Sequence, residues 1–327
     1  MKAAWYTRNG PARDVLVVGD IPVPAPGPGE VLVEVHASGV NPSDVKSRAG
    51  RPVTSAFVVP HSDGAGIIVE TGAGVDHLRV GERVWLWNGQ WKRPLGTAAE
   101  YIVLPQEQAV ALPAHIGFDA GACFGIPALT AIHAVRRAGE LAGRTLLVTG
   151  AGSAVGHYVT QIAARKGAVV VGTAGSPARR DHALAAGAAH VIDYKREPVA
   201  DRVREITAGA GVDAVIDMDF AGTARLLPQG LLKPHGRFVC YGSNQGGDLP
   251  IDFRTMLWGS YDLLFFLVYD LLPAEREAAL GELASLLAAD VLQHTIAAGF
   301  PLEGIAAAHE MVEASDTLGN VVLRLRG

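Results

Sequence analysis

The spacing of hydrophobic and polar residues divides the chain into two parts. Up to about residue 120, short apolar runs such as VLVEVHA, GIIVETG and AEYIVLP alternate with turns rich in proline and glycine, for example IPVPAPGPGE at 21–30. Short strands at close spacing, with little helix between them, are typical of a barrel or sandwich. This pattern predicts a mostly β domain.

After about residue 120 the pattern changes to apolar strands separated by helical segments. Strands are predicted at 145–149, 168–173, 190–193, 214–218 and 237–242. Such an alternation indicates a parallel sheet that helices cover on both faces. Helical patterns follow at 274–291 and 302–315, and a last strand is predicted at 320–325. The fold class is therefore α/β, with a β-rich domain and a doubly wound parallel-sheet domain.

The segment TLLVTGAGSAVGHYVTQIAARKG at 145–167 joins an apolar run, a cluster of small residues and a helical pattern. A dinucleotide site needs a strand, a tight turn whose N–H groups face the pyrophosphate, and a helix N-terminus that meets the negative charge. A glycine pattern alone is weak, but this one opens a series of alternating strands and helices. We therefore expect coenzyme contacts from Gly150, Gly152, Ser153, Ala154, Val155 and Gly156.

The residues after the second strand of this series indicate which coenzyme binds. A site for NAD needs a carboxylate here to accept from the ribose hydroxyls, but AGSPARRDH at 174–182 has no acid before Asp181. Ser176, Arg179 and Arg180 instead offer a hydroxyl and two guanidinium groups, which suit a 2′-phosphate. An anion there would also relieve the unfavourable positive charge at a helix N-terminus. The sequence therefore favours NADP(H) over NAD(H).

Composition and charge exclude several other classes of function. The chain has 327 residues, a net charge of −5 and no long basic run, so nucleic acid is a poor partner. Its two cysteines are too few for a disulfide framework and fit a reducing compartment. The longest apolar stretch, at 257–272, contains two aspartates and is too short to span a membrane. We expect a cytoplasmic protein without a membrane partner.

These motifs resemble the patterns of two dehydrogenase families. The glycine turn is similar to that of short-chain dehydrogenases, but none of the seven tyrosines has the required lysine four places on. From end to end, the chain instead resembles the medium-chain dehydrogenase/reductases, and most closely their zinc-independent quinone oxidoreductase (zeta-crystallin-like) branch. The residues that carry this resemblance are MKAAWY, GEVLVEVHASGVNPSDVKSRAG, VPHSDGAGIIVETGAGV, GTAAEYIVLP, IPALTAIHAV and the glycine turn.

This resemblance implies a GroES-like β-barrel catalytic domain and an inserted Rossmann domain. The expected boundaries are 1–123 with 267–327 for the catalytic domain and 124–266 for the NADP(H)-binding domain. The resemblance also implies that Ser176, Arg179 and Tyr194 surround the 2′-phosphate. Three departures from the family pattern are Ser153, where a glycine is usual, His61, where a glycine is common, and Asn320, where many relatives have lysine. We also expect Thr173, Gly242, Ser243 and Asn320 to contact the coenzyme.

The resemblance further implies a reductase that works without a metal. The positions of the zinc ligands in metal-dependent relatives hold Asn41, Ser62 with Asp63, and Gly125, so we expect no metal. Asn41 is expected to donate to a developing oxyanion, Thr130 to contact the nicotinamide, and Lys46 to donate a proton or a hydrogen bond. The expected reaction is hydride transfer from NADPH to a quinone or an α,β-unsaturated carbonyl compound.

Two alternatives remain open at this point. The chain could be a reductase for a particular unsaturated acid or ketone in a specialised pathway, or a non-catalytic NADPH-binding protein of the crystallin kind. The expected partners are a small-molecule substrate and a second copy of the chain, as a homodimer.

Overall fold

The computed structural model describes residues 1–315 and 317–326. The strands of this part of the chain are β1 (Lys2–Trp5), β2 (Val17–Asp20), β3 (Glu30–Val40), β4 (Asp63–Thr71), β5 (Arg83–Leu86), β6 (Tyr101–Pro105), β7 (Ala109–Ala111), β8 (Thr145–Val148), β9 (Val169–Ala174), β10 (His190–Asp193), β11 (Val212–Asp217), β12 (Leu232–Cys240), β13 (Asp262–Phe265), β14 (Ile296–Pro301) and β15 (Asn320–Arg324).

The α-helices are α1 (Ala12–Val15), α2 (Pro42–Gly50), α3 (Phe118–Gly121), α4 (Leu129–Ala138), α5 (Ala154–Arg165), α6 (Pro177–Ala185), α7 (Val199–Ile206), α8 (Phe220–Thr223), α9 (Phe253–Gly259), α10 (Pro273–Ala288) and α11 (Ile305–Glu313). Short 3₁₀ turns lie at His77–Arg79, Gln106–Gln108, Ala224–Gln229, Val268–Asp270 and Leu302–Gly304, and a π-helical turn at Phe124–Ala128. None of the described helices is long and apolar enough to cross a membrane.

The chain folds into two compact units. The first unit contains Met1–Ile126 and the chain from His294 onward, and the second contains Pro127–Gln293. The first boundary lies close to the expected 123/124, but the second lies at 293/294 instead of 266/267. The reason is α10, which packs on α4 through the ion pairs Arg136–Glu282 and Arg137–Glu275, at 3.1 and 3.3 Å. These contacts keep the segment 267–293 with the parallel sheet.

The first unit is rich in β-structure, as the sequence pattern predicts. β1 and β2 form an antiparallel pair, and a second sheet has the order β14-β15-β3-β4-β5-β7, with β6 pairing with β3. The long strand β3 therefore pairs with β4, β6 and β15 along its length. The inward-facing side chains of these strands form an apolar core that includes Val33, Ile68 and Leu104.

The second unit contains a six-stranded parallel sheet with the order β10-β9-β8-β11-β12-β13. From β8 the chain adds β9 and β10 on one side, then crosses to β11 and continues outward on the other side. In doubly wound sheets, ligands bind outside the carboxyl ends of the strands where the strand order reverses. That position lies here between the ends of β8 and β11.

The strands of this sheet confirm the predicted alternation, with small differences in their bounds. β10 matches the predicted 190–193, whereas β12 begins at Leu232 rather than at 237. β13 lies within the apolar stretch at 257–272, where the sequence pattern predicts no strand. Within the described part of the chain it forms an edge of the sheet and pairs only with β12.

Candidate functional site

The glycine turn follows β8 and leads directly into α5, as predicted. Gly150 has a φ of +65°, a conformation that favours glycine. At Gly156 a Cβ atom would lie 2.1 Å from the main-chain oxygen of Gly150, and at Gly152 one would lie 2.6 Å from that of Arg179. Both distances are too short for a side chain, so the close packing of the turn requires glycine at these two positions.

Two hydroxyl groups hold the turn in this shape. Ser153 is the N-cap of α5, and its Oγ accepts the N–H of Gly156 at 3.1 Å. Thr173 Oγ1 accepts the N–H of Gly150 at 3.0 Å. The main-chain oxygen of Thr173 accepts the N–H of Ala151, also at 3.0 Å. The buried Thr173 therefore supports the turn from the side of β9, and Ser153 stabilises the start of the helix.

The first turn of α6 packs against the glycine turn. Ser176 is its N-cap and accepts the N–H of Arg179 at 3.4 Å. The Arg179 side chain is half-buried, whereas the Arg180 side chain is exposed. Tyr194 is 49% exposed, and its hydroxyl lies so close to Gly175 that a Cβ there would be 2.7 Å from it. The structure thus places Ser176 and Arg179 on the first turn of α6 and the Tyr194 hydroxyl beside the preceding Gly175, with Arg180 exposed on the same turn.

Gly242 and Ser243 follow β12 and contact the start of α8. The main-chain oxygen of Gly242 accepts the N–H of Phe220 at 3.1 Å, and Ser243 Oγ accepts that of Ala221 at 3.3 Å. Both residues lie at the carboxyl edge of the parallel sheet, the edge that also carries the glycine turn.

This edge fits a dinucleotide. The first turn of a helix leaves N–H groups without partners inside the helix, and in α5 these include the N–H groups of Ala154 and Val155. Bare main chain at the glycine turn, a helix N-terminus and nearby guanidinium groups are the features that bind phosphates. The residues present therefore suit the coenzyme that the sequence predicts.

The first unit holds Asn41 at the N-terminus of α2, between two buried carboxyl groups. Its main-chain N–H donates to Asp44 Oδ2 at 2.8 Å, and its side-chain Nδ2 donates to Asp63 Oδ2 at 2.9 Å. Burial raises the pKa of Asp44 to about 7, although hydrogen bonds from Asn41 oppose the shift. Burial also raises the pKa of Asp63 well above its ordinary value. These contacts fix the orientation of the Asn41 amide.

A network of hydrogen bonds between buried polar side chains begins at the main-chain oxygen of Asp63, and the sequence analysis did not predict it. Thr97 Oγ1 donates to the main-chain oxygen of Asp63, so its single hydrogen is used and Ser38 must donate to it at 2.8 Å. His61 Nδ1 then donates to Ser38 at 2.9 Å, and His61 Nε2 accepts from His309 Nε2 at 2.9 Å. This order holds because burial lowers the pKa of both imidazoles, that of His309 to about 3, and keeps them neutral.

One signal for this hydrogen-bond network is present in the sequence, because His61 stands where the family pattern commonly has glycine. His61 has a φ of +77°, a conformation that suits glycine and is strained for histidine. Its partner His309 is 248 positions away on α11, and no local pattern could have paired the two residues.

The other expected site residues are divided between the units. Lys46 is exposed on α2, and Asn320 is buried in β15, where its main-chain N–H and its Nδ2 both donate to the oxygen of Thr295, at 2.9 and 3.2 Å. Both belong to the first unit. Thr130 is buried in α4 of the second unit, which also carries the glycine turn. The contacts expected of Lys46, Asn320 and Thr130 with the coenzyme or substrate stay predictions.

The zinc-ligand positions of metal-dependent relatives do not suit zinc in this chain. Asn41 offers a neutral amide that is bonded to Asp63, and Gly125 offers no side chain; a Cβ there would lie 2.4 Å from Asp63 Oδ1. The nearby Cys123 donates to the main-chain oxygen of Asp119, and burial raises the pKa of its thiol well above the ordinary value. Catalytic zinc needs three protein ligands, with any cysteine ionised. This donor set does not meet that need.

Comparison with known proteins identifies the family. Residues 27–114 match the model of the alcohol dehydrogenase GroES-like domain, and residues 154–285 match that of the zinc-binding dehydrogenase family. The chain is 31% identical to a quinone oxidoreductase from Rattus norvegicus over 99% of this chain and 98% of that protein. It is also 31% identical to a 2-haloacrylate reductase from a Burkholderia species, with the same coverage.

A solved structure with the same architecture is the Escherichia coli quinone oxidoreductase complexed with NADPH. It is 27% identical, covers 99% of this chain and 100% of its own, and has a TM-score of 0.90. The fold class predicted from the sequence, a GroES-like domain with a Rossmann domain, is thereby confirmed. The chain belongs to the medium-chain dehydrogenase/reductase superfamily, in its quinone oxidoreductase branch.

Proposed function

We propose that this enzyme is an NADPH-dependent reductase that transfers hydride to a quinone or to an α,β-unsaturated carbonyl compound. The observation that carries the proposal is the glycine turn packed against the first turn of α6, which places bare main chain next to Ser176 and Arg179. The predicted coenzyme, NADP(H), is confirmed by the similar Escherichia coli enzyme, whose structure contains NADPH.

In this proposal each part of the edge holds one part of the coenzyme. The turn from Gly150 to Gly156, with the N–H groups of Ala154 and Val155, binds the pyrophosphate. Ser176, Arg179, Arg180 and Tyr194 bind the 2′-phosphate, because charge-assisted bonds from guanidinium groups suit a dianion. We also assign coenzyme contacts to Thr130, Gly242, Ser243 and Asn320, and a supporting role to Thr173, whose side chain is bonded to the turn.

Bound NADPH supplies a hydride, and the chain must manage the charge that develops on the acceptor. When a quinone or an enone receives hydride, negative charge builds on its oxygen, and a positioned donor stabilises that charge. We assign this task to the amide of Asn41, whose orientation Asp44 and Asp63 fix. We propose that Lys46, which is exposed on α2, donates a proton or a second hydrogen bond to the acceptor.

The test follows the loss of NADPH absorbance with 1,4-benzoquinone, 9,10-phenanthrenequinone and a set of enones. The proposal predicts turnover on at least one of these acceptors, with Asn41→Ala lowering kcat by about 100-fold, the lower end of the usual cost of removing one oxyanion donor. Lys46→Ala is expected to lower kcat, whereas Lys2→Ala, which removes a lysine that pairs with Glu303, is not. Turnover unchanged in Asn41→Ala would refute its assigned role.

A second candidate substrate class is an unsaturated acid. It is favoured by the similarity to the Burkholderia 2-haloacrylate reductase. Adding acrylate derivatives to the same set separates the candidates, because a dedicated acid reductase would turn over the acrylates and leave the quinones unreacted. Coenzyme binding without turnover on any acceptor would instead favour the non-catalytic alternative.

We further propose a homodimer in a reducing compartment such as the cytoplasm. The edge strand β13 and the neighbouring α9 expose large apolar side chains, with Phe253 71%, Trp258 79% and Phe265 53% exposed. Such an apolar patch beside the edge strand β13 suits a second copy of the chain. The reducing compartment is supported by the two cysteines, both of which are free thiols. Light scattering should give about twice the chain mass, and Trp258→Asp should reduce it; a monomer in the wild type would contradict the dimer.

A further inference from the structure

We propose that Asp217 is a positioning residue for coenzyme binding, which holds the glycine turn in its binding shape through the hydroxyl of Thr149. This inference rests on the proposed function, in which the turn binds the pyrophosphate of NADPH. Asp217 was not among the residues that the sequence motifs indicated, and it does not itself face the coenzyme in the proposal above.

The first observation is the position of Asp217 in the sheet. It is the last residue of β11 and is fully buried. β11 lies beside β8, the strand that leads into the glycine turn, and the strand order reverses between the two. The carboxyl group therefore lies at the point where a doubly wound sheet binds its ligand.

The second observation is a pair of short hydrogen bonds. Asp217 Oδ1 accepts from Thr149 Oγ1 and from Thr223 Oγ1, each at 2.7 Å. Thr149 has one hydroxyl hydrogen, and it is used in this bond, so the oxygen of Thr149 can only accept from other groups. It accepts the main-chain N–H of Met218 at 2.9 Å. The hydrogen bonds among Asp217, Thr149 and Met218 thus join the end of β8 to the end of β11.

The third observation links this connection to the turn. Thr149 directly precedes Gly150, whose φ is +65°. A Cβ at Gly150 would lie 2.2 Å from the sulfur of Met218, so the turn packs directly on the residue whose N–H is bonded to Thr149. A change in the orientation of the Thr149 hydroxyl would therefore reach the main chain that faces the pyrophosphate.

The charge state of the carboxyl group suits this role. Burial raises the pKa of Asp217 to about 6, while the hydroxyls of Thr149 and Thr223 oppose the shift. At neutral pH and above, the group is therefore mostly ionised and can only accept hydrogen bonds. An ionised carboxylate forces both threonine hydroxyls to point toward it, which leaves one orientation for each.

The two threonines provide a matched pair for the test. Thr149 and Thr223 donate to the same oxygen at the same distance, but only Thr149 adjoins the turn, whereas Thr223 ends α8. Thr149→Val and Thr223→Val each replace a hydroxyl with a methyl group and leave Asp217 with one donor fewer. Both variants share the loss of one donor to Asp217, whereas Thr149→Val also leaves the N–H of Met218 without its acceptor. The free energy of unfolding of each variant is therefore measured beside the Kd, and a loss of NADPH affinity in Thr149→Val while the protein stays fully folded reports on the turn.

The experiment measures the Kd of NADPH by titration and kcat at saturating NADPH. We expect Thr149→Val to weaken NADPH binding by about 10-fold with kcat within twofold of the wild type, and Thr223→Val to change the Kd by less than twofold. Asp217→Ala should lose about as much affinity as Thr149→Val, and Asp217→Asn, which keeps an acceptor oxygen, should recover most of it. The variant that combines Asp217→Ala with Thr149→Val should bind no worse than Asp217→Ala alone.

Equal effects of the two valine variants on the Kd, or an unchanged Kd in Thr149→Val, would overturn the inference. So would losses that multiply in the combined variant. If Asp217→Ala fails to fold, the two valine variants decide the question alone. A wild-type chain that does not bind NADPH would contradict the proposed function instead, so the two failures are distinguishable.

Discussion

The two arginines at the start of α6 give a sharp test of coenzyme selection. In the structure Arg179 is half-buried and its main chain packs on Gly152, whereas Arg180 is exposed. We propose that both guanidinium groups bind the 2′-phosphate, a group that NADPH has and NADH lacks. The perturbation is the double substitution of Arg179→Ala and Arg180→Ala.

The magnitude follows from the exposure of each side chain. A hydrogen bond to a charged group contributes about 1.5–3 kcal/mol, and the half-buried Arg179 is assigned the lower end of that range. An exposed ion pair contributes about 0–1 kcal/mol, which applies to Arg180. The sum is about 2 kcal/mol, and because about 1.4 kcal/mol corresponds to a factor of ten, the KM for NADPH should rise roughly 30-fold.

The assay compares the KM values for NADPH and NADH at a fixed quinone concentration. The KM for NADH should stay within twofold, and the effect on NADPH should shrink at high salt, because exposed charges are screened. Arg165→Ala is the matched control, because Arg165 is an exposed arginine at the C-terminal end of α5, far from the glycine turn at the N-terminal end. This substitution should change neither KM. An equal rise for both coenzymes would refute the assignment.

Three further predictions concern the turn and the buried histidines. Gly156→Ala forces a Cβ toward the oxygen of Gly150, at 2.1 Å in the present geometry, so NADPH binding by calorimetry should weaken at least 10-fold; unchanged affinity would count against the turn as the binding site. Ser153→Ala removes the N-cap of α5 and should cost about 1 kcal/mol of stability in urea denaturation, whereas Ser153→Gly should cost only a few tenths; equal losses would contradict the capping role. Because the pKa of His309 falls from 6.5 unfolded to about 3 folded, its stabilisation is present above pH 6.5 and is lost as the pH falls toward 3. The wild type should thus lose about 2 kcal/mol relative to His309→Gln between pH 7 and pH 5, and a constant difference in unfolding free energy would contradict a neutral buried imidazole.

The parts of the site that lie close together in sequence could be predicted from the sequence. The glycine turn, its flanking strand and helix, and the serine and arginines after β9 all lie in the second unit, within local strand–turn–helix patterns. Their hydrogen bonds, such as Ser153 to Gly156 and Ser176 to Arg179, span three residues each. Local periodicity and capping rules are sufficient to predict such features.

The contacts between distant segments could not be predicted. The bond between Asn41 and Asp63 joins α2 to β4, and the pair of His61 and His309 joins residues 248 positions apart. The domain boundary at 293/294 likewise depends on the packing of α10 on α4. The hydrophobic pattern of α10 shows that it is a helix but does not show which unit it packs on. These features depend on tertiary packing, which a single sequence does not display.

The central claim is that the glycine turn of this chain holds NADPH for hydride transfer. Its most direct test is a calorimetric titration of the wild-type chain and of Gly156→Ala with NADPH and with NADH. The account predicts saturable binding of one NADPH per chain, at least tenfold tighter than that of NADH, and a marked loss of that binding in Gly156→Ala. Absence of binding heat in the wild type, or equal affinity for NADPH in the two proteins, would contradict it.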